Sequence, residues 1–449
     1  MSKIAAFRGY RFNKMNAGDL NKVVTQPYDQ IGDELRADYH GRSDYNVVRI
    51  IKGIPTASDT PNDNEYTRAA KCWEEWIDDR VLTREPGPAI YPYFQEYDVE
   101  GKPFVRKGLI ALIDLDDKKA EVKAHEHTHS GPKADRLRLM KATEANDGQI
   151  FMLYNDAEQK INAIIDQELI GAQPLMTVKD DFGATHKLYR ISRPGAVADI
   201  ADVFKELELF IADGHHRFET AVNYMNYCKD RKWAPVDNET FTHRMMTMVN
   251  MHDPGLSVLP THRVIHSLDK FKPEKFLKKA SDNFDVTDFA DLESLSSAMD
   301  AAYEAGKTVF GFGAEGMDGL KLLTLKNPGL MDQLVGDAHC EGWRKLDVTV
   351  LHTALLDKLL GIGADALEKE TNVRYVRGRA AALDTLGKDG IQAVFLINAT
   401  KVSQVSEVAS AGERMPQKST DFFPKLLSGM VMMKMQIDKS MGLSMYEAD

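Results

Sequence analysis

Leu207-Glu208-Leu209-Phe210-Ile211-Ala212-Asp213-Gly214-His215-His216-Arg217-Phe218-Glu219-Thr220-Ala221 is the stretch from which the rest of the chain is best read. Its first part, Leu207 to Ile211, is a short apolar run that predicts a buried strand. The stretch from His216 to Tyr227 has helical spacing, with apolar residues at Phe218, Ala221, Val222 and Met225. Between them Asp213-Gly214 makes the turn. Glycine tolerates a positive φ and leaves no side chain over the loop, so backbone N–H groups can converge where the helix begins. Such a helix start suits an anion, and Arg217 adds a planar fork of donors that matches a phosphate. A capped turn with solvated basic residues is the plainer reading, but five polar or special residues in succession, Asp213 to Arg217, favour a binding loop.

The 449 residues exceed one ordinary core and predict two domains, or one core with a large elaboration. Hydrophobic residues make up 43% and charged residues 28%, which is the balance of a folded globular chain rather than a disordered one. Lys and Arg number 57 against 68 Asp and Glu; a net charge of −11 opposes general binding to DNA. Cys72, Cys228 and Cys340 are odd in number and far apart, which excludes a complete disulfide framework and a cysteine zinc ribbon. No apolar run approaches a membrane span and Met1 to Phe12 lacks an apolar signal core, so a cytoplasmic protein is expected.

Outward from the central loop the pattern is mixed. Val23 to Ile31 reads as a strand ending at Pro27, with Tyr28-Asp29 exposed at its end, and Asn46 to Ile51 as another strand. Glu65 to Val81 is an amphipathic helix with Trp73 and Trp76 in the core. Ile90 to Tyr97 and Phe104 to Leu115 form a hairpin, Asp135 to Asn146 a helix, and Ile150 to Tyr154 a strand. The Met-rich run Phe241 to Met251 is a strand by composition, though its periodicity also suits a helix. Met430 to Ile437 is the last strand. Strands and helices interleave without a regular βαβ beat, so the fold class is α+β with a mixed sheet. The expected division is an N-terminal α+β region, 1–254, an inserted or second α/β lobe, 255–345, and a C-terminal region, 346–449, that returns to the site.

Gly311-Phe312-Gly313-Ala314-Glu315-Gly316 matches the dinucleotide fingerprint, but Gly319 leads into the strand Leu320 to Leu325 instead of opening a helix. A glycine-rich hairpin is expected there. No P-loop sequence and no protein-kinase motif set is present. His125, His127 and His129 alternate, so on a strand they would share one face and suit a divalent metal; in a loop they would be solvated, and no firm metal site follows. Glu126 among them is a candidate general base. Arg8, Arg11, Lys133, Arg136, Lys418 and Lys425 lie in motifs dense in Gly, Pro, Ser and Thr, where loops can aim backbone and cation together at an anion. Met415 to Leu426, with Lys418-Ser419-Thr420 inside it, is expected to be an ordered loop near the site.

Phe7-Arg8-Gly9, Pro27-Tyr28-Asp29, His125-Glu126-x-Thr128 with Gly131-Pro132-Lys133 and Asp135-Arg136-Leu137, Asp213-Gly214-His215-His216-Arg217, and Met415-Pro416-x-Lys418-Ser419-Thr420 together resemble domain-of-unknown-function family 1015. Five motifs in the same order make the resemblance specific, and it spans nearly the whole chain. The Asp213 to Arg217 loop also resembles the phosphate-binding loop of the ParB/sulfiredoxin-like superfamily, most closely that of free serine kinases. That resemblance implies a ParB/sulfiredoxin-like phosphate-binding core and a nucleotide-dependent transfer of a phosphoryl group to a small hydroxylated metabolite, L-serine first among them. The donor would be ATP or ADP with Mg²⁺. Gly214, His215, His216 and Arg217 would then bind phosphate, and Asp213 would support metal, hydroxyl or loop geometry. The chemistry of the residues adds Arg8, Lys133, Arg136, Lys418 and Ser419 as phosphate or nucleotide ligands, and Glu126, Asp213 and His216 as catalytic residues. Two other readings stand beside it: a metal-dependent phosphoester hydrolase using His125, His127 and His129, and a nucleotide-responsive ParB-like binding protein.

Overall fold

The Met-rich run His243–Asn250 is a strand, and every residue of it is buried. A strand flanked on both edges and covered on both faces needs a near-continuous apolar sequence, which is what Met245, Met246, Met248 and Val249 supply. The computed structural model describes residues 4–116, 122–124 and 130–440. They divide into two compact units. The first takes the chain up to Lys123, resumes through Leu256 and takes it again from Pro424; the second is built chiefly of Ser257–Phe423.

The sheet of the first unit has nine strands: β1 (Ile4–Ala5), β2 (Tyr91–Val99), β3 (Lys102–Asp114), β4 (Val122–Lys123), β5 (Ile150–Tyr154), β6 (Met176–Lys179), β7 (Thr185–Leu188), β8 (Leu209–Asp213) and β9 (His243–Asn250). Their order is β4-β8-β5-β9-β3-β2-β7-β6, with β1 extending the edge of β3 beyond β2. β9 runs parallel to β5 and antiparallel to β3, and β8 runs antiparallel to β5, so the sheet is mixed as expected. β2 and β3 form the expected hairpin, with Val99 opposite Lys102 across Glu100-Gly101.

Three helices matter for the site: α1 (Glu65–Asp78), α2 (Ser130–Thr143) and α3 (His215–Asp230). α1 begins at Asn64, whose side chain accepts from Tyr66 N and Thr67 N while Thr67 returns a bond to the Asn64 N–H, a capping box. Trp73 and Trp76 are buried on one face of α1, each contributing on the order of 3 kcal/mol of transfer free energy.

Three expected strands are corrected. The strand expected from Val23 to Pro27 does not form: the stretch lies between two single-turn 3₁₀ segments, Leu20–Lys22 and Tyr28–Gln30, and in it Thr25 makes one bridge to Ser428. Asp19 caps the first segment and Pro27 opens the second, so the apolar residues here are buried by turns and not by pairing. Asn46 to Ile51 contains a short helix, Val48–Ile51. The Asn46 side chain accepts from Val48 N at 2.9 Å, which starts the turn. Met430 to Ile437 pairs only in fragments, Met433–Lys434 and Ile437–Asp438, because each piece meets a different partner strand.

In the second unit β10 (Thr261–His266), β11 (Phe284–Phe289), β12 (Val309–Ala314), β13 (Leu320–Leu325), β14 (Val373–Arg377) and β15 (Ile391–Ile397) form an antiparallel sheet in the order β11-β13-β12-β15-β10-β14. Val309 lies opposite Thr324 and Phe312 opposite Lys321, so the glycine-rich stretch is a hairpin. Its glycines serve packing: a Cβ at Gly311 would stand 3.0 Å from the Met299 sulfur and from Leu396 Cβ.

Candidate functional site

The junction between β8 and α3 is made at Gly214, whose φ of 98° lies in the left-handed region. A side chain there would suffer the backbone strain, and its Cβ would also stand 3.0 Å from Arg217 Nε. Gly214 therefore lets the guanidinium of Arg217 fold back against the turn. From the third position of α3, Arg217 donates to the carbonyl of Gln149 and, at 3.4 Å, to Asp213, with Asp29 at 3.8 Å. Its Nε is buried and makes no hydrogen bond. Burial works against the cation, but Asp29 and Asp213 outweigh it and raise its pKa.

Asp213 is held from two sides, by Arg217 and by Lys425, whose ammonium is 3.2 Å away. Burial pushes the carboxyl pKa up, yet Lys425 and Arg217 outweigh burial and hold it well below the ordinary carboxylate range. Asp213 is thus a fixed anion and a weak base. Its place in the loop is to orient cations.

A cavity of about 40 Å³ lies against the face of α3 that carries Arg217 and Thr220, three residues apart. Arg136 from α2 and Arg244 from β9 also line it, with Tyr28, Asp147 and Ser428. Arg136 donates to Asp135 at 2.8 Å and to the Ile51 carbonyl at 2.6 Å, and lies over the Tyr28 ring at 4.2 Å. Arg244 donates to Asn146 Oδ1 and, at 2.7 Å, to the Gly148 carbonyl, and its Nε is buried without a hydrogen bond. Burial first and Arg217 second push the Arg244 pKa down to about 9, which still leaves it charged at neutral pH. Asp147 accepts from Trp73 Nε1 at 2.8 Å, and burial raises its pKa.

Two buried guanidiniums that repel one another, each with an unused N–H, form a surface that gains by taking an anion. A second hollow shares Tyr28, Ile51, Arg136 and Leu139 with the first and adds Arg36, Lys52, Glu65, Tyr66 and Asp135. The two hollows therefore lie side by side, with Arg136 in the wall of both.

Of the residues singled out in the sequence, Arg217 and Arg136 meet at this cavity, and Asp213 and Gly214 stand next to Arg217. His215 is buried, and the His216 carbonyl accepts from the Thr220 hydroxyl at 2.7 Å. Lys133 pairs with Glu219 of α3 at 2.8 Å. Arg8 instead pairs with Glu239 at 3.0 Å and with Asp237 at 3.0 Å, in a cluster shared with Arg84. Lys418 and Ser419 belong to the second unit. There the Lys418 carbonyl accepts from Arg263 at 3.1 Å and the Ser419 carbonyl from Thr400 at 2.7 Å. Glu126, His125, His127 and His129 lie outside the described residues. Among the described residues no group of three or more His, Cys, Asp or Glu is placed to hold a metal ion.

The sequence reading missed Arg244 and Asp147. The one arginine of a Met-rich central strand is itself a signal, since a charge there is buried at a cost that something must offset.

The chain belongs to the family described as protein of unknown function (DUF1015), matched over residues 4–349. No curated protein matches it. Among solved structures it is similar to a free serine kinase mutant in complex with ADP, at 12% identity and a TM-score of 0.34, over 70% of this chain and 87% of that one. It is also similar to a conserved hypothetical protein from Pyrococcus furiosus, at 14% identity and a TM-score of 0.31, over 70% and 90%. A third is SbnI with a C-terminal truncation from Staphylococcus aureus, at 9% identity and a TM-score of 0.31, over 76% and 90%. Likenesses this remote transfer no residue roles.

Proposed function

We propose that this member of the DUF1015 family is a phosphotransferase that moves a phosphoryl group from ATP or ADP to a small hydroxylated metabolite, with L-serine the first acceptor to test. The observation that carries the reading is the cavity in which Arg136, Arg217 and Arg244 converge, two of them buried with unused Nε–H groups, beside a strand-glycine-helix junction. A nucleotide's terminal phosphates suit the inner cavity, and its remainder suits the adjoining hollow. The assignments of Gly214, His215 and His216 as phosphate ligands, and of Lys133 and Arg8, belong to the same proposal.

The acceptor oxygen attacks the terminal phosphorus, the bond from phosphorus to the bridging oxygen breaks, and the nucleotide leaves one phosphate shorter. The hydroxyl proton goes to a carboxylate, for which Glu126 is proposed because Asp213 is too firmly ionised to act as a base. Charge developing on the transferred group is met by guanidinium donors already held in place, so little reorganisation is needed during the reaction. Magnesium is commonly held by one or two carboxylates together with substrate phosphates, so it requires no three-residue cluster. Asp213 and Asp29, both beside Arg217, are the side chains that would hold it. When bound, the ion would neutralise phosphate charge.

The test is turnover: purified protein with Mg²⁺, ATP or ADP, and L-serine should form phosphoserine, read by phosphorus NMR. Absence of transfer with both nucleotides across a panel of small alcohols and hydroxy amino acids would refute the reading.

A further inference from the structure

Three neighbouring strands of the first unit carry a row of polar side chains in direct register. Arg106 of β3 lies opposite Gln95 of β2, and Gln95 lies opposite His186 of β7. All three, with Tyr93, are at most 1% exposed. A polar row at this depth is stable only if its donors and acceptors match, and they do. Arg106 Nε donates to Gln95 Oε1 at 3.0 Å, and its terminal nitrogen donates to the carbonyl of Pro424. Gln95 Nε2 donates to the carbonyl of Lys425 at 2.9 Å and stands 3.3 Å from His186 Nδ1. Tyr93 Oη is 2.6 Å from the same Nδ1 and accepts the Leu427 N–H at 3.2 Å. His186 Nε2 is 3.1 Å from Asp180 Oδ2.

Two donors aimed at Nδ1 leave the His186 proton on Nε2, directed at Asp180. Burial pushes the His186 pKa down and so keeps this neutral form, with Asp180 and Arg106 the charged groups that act on it. The row thus ends on three points of one backbone segment: Pro424 O, Lys425 O and Leu427 N. From that segment the Lys425 side chain reaches Asp213 at 3.2 Å. The other end of the row returns to the same place, since Arg106 lies over the ring of Phe151 at 4.6 Å and Phe151 is the strand partner of Asp213.

We propose that Arg106, Gln95, Tyr93 and His186 are positioning residues for Lys425, and that the Lys425 ammonium, so presented, shares a bound phosphoryl group with Arg217 and Arg244. The second half rests on the phosphotransfer reading; the first half does not. Arg106 and Gln95 act through the backbone of Lys425 and touch no ligand. A clamp on the main chain fixes where a long, flexible side chain starts, which removes much of the freedom an ammonium would otherwise keep.

The experiment has two arms, each using the full chain. In the first, affinity for ADP and for pyrophosphate is measured by calorimetry in wild type, Lys425→Met, Tyr93→Phe, Arg106→Met, and the two double variants with Lys425→Met. Lys425→Met should weaken binding about ten- to a hundredfold, the worth of one charge-assisted contact. Tyr93→Phe and Arg106→Met should each weaken it in the wild-type background and add nothing once Lys425 is methionine. Losses that persist unchanged in the Lys425→Met background overturn the positioning role, and unchanged affinity in Lys425→Met overturns the ligand role. In the second arm the rate at which Lys425 reacts with an amine-acylating reagent is followed by peptide mass spectrometry. Tyr93→Phe should accelerate it severalfold, and an unchanged rate overturns the clamp even if Arg106→Met fails to fold. Should wild type bind neither ADP nor pyrophosphate, the phosphotransfer reading and the ligand role fall together, while the acylation rates still decide the clamp.

Discussion

Replacing Arg244 by methionine removes a buried cation while nearly keeping its volume. Two hydrogen bonds go with it, to Asn146 Oδ1 and to the Gly148 carbonyl, each worth about 1.5–3 kcal/mol because the donor is charged. Against that loss, burying an ion costs several kcal/mol, and the repulsion from Arg217 disappears. The two sides nearly cancel, so the ligand-free protein should shift by no more than about 2 kcal/mol in urea unfolding. Phosphate binding has no such compensation and should weaken about ten- to a hundredfold. With pyrophosphate at one hundred times the wild-type Kd, ligand stabilisation is about 2.7 kcal/mol for wild type and should fall to between about 0.4 and 1.4 kcal/mol for the variant. Denaturant midpoints with and without pyrophosphate measure both quantities in one series. A large loss of ligand-free stability with ligand stabilisation intact would refute the reasoning and make Arg244 a structural residue of β9.

Arg217→Lys keeps the charge but not the planar fork, so pyrophosphate affinity should again fall at least tenfold. Ligand-free stability should also drop by about 1.5–3 kcal/mol, because the guanidinium that faces the cavity also holds the Gln149 carbonyl; unchanged affinity by calorimetry would contradict the site. Trp73→Phe leaves the buried Asp147 carboxyl without its indole donor and should cost about 1–3 kcal/mol in urea unfolding, with a midpoint equal to wild type as the contrary result. Asp213 has a folded pKa below its unfolded value of about 3.9, so its contribution to stability is full above that value and is lost as the pH falls towards and through the folded one. Asp213→Asn should therefore flatten the acid limb of the stability profile below about pH 4, and an acid limb identical to wild type would show that the carboxylate is not held by Lys425 and Arg217.

What could be read in advance was local. Asp213-Gly214 announced a strand-to-helix junction because glycine and the change of period from strand to helix stand side by side, and the hairpin of β2 and β3 and the glycine-rich hairpin of β12 and β13 were legible for the same reason. Asn46 to Ile51 misled because its composition is that of a strand while one side-chain cap, Asn46 to Val48, decides the conformation. The site was half legible. Arg217 and Arg136 sit in motifs with unusual neighbours, whereas Arg244 and Asp147 acquire meaning only when β9 and the turn after α2 are brought to the same cavity. Register across strands is a long-range property, so the row from Arg106 to His186 has no signature along the chain.

The return of the chain to the first unit at Pro424 has a consequence for biosynthesis. Ser428 lines the cavity and Lys425 holds Asp213, so the site takes residues from a segment that leaves the ribosome after all of the second unit. During synthesis the strands around Asp213 wait for more than two hundred residues before their last partner arrives, and closing so distant a contact is slow. A chain cut short within the second unit lacks the ammonium beside Asp213 and the Ser428 wall of the cavity, so the surroundings of Asp213 are complete only after the second unit has been made.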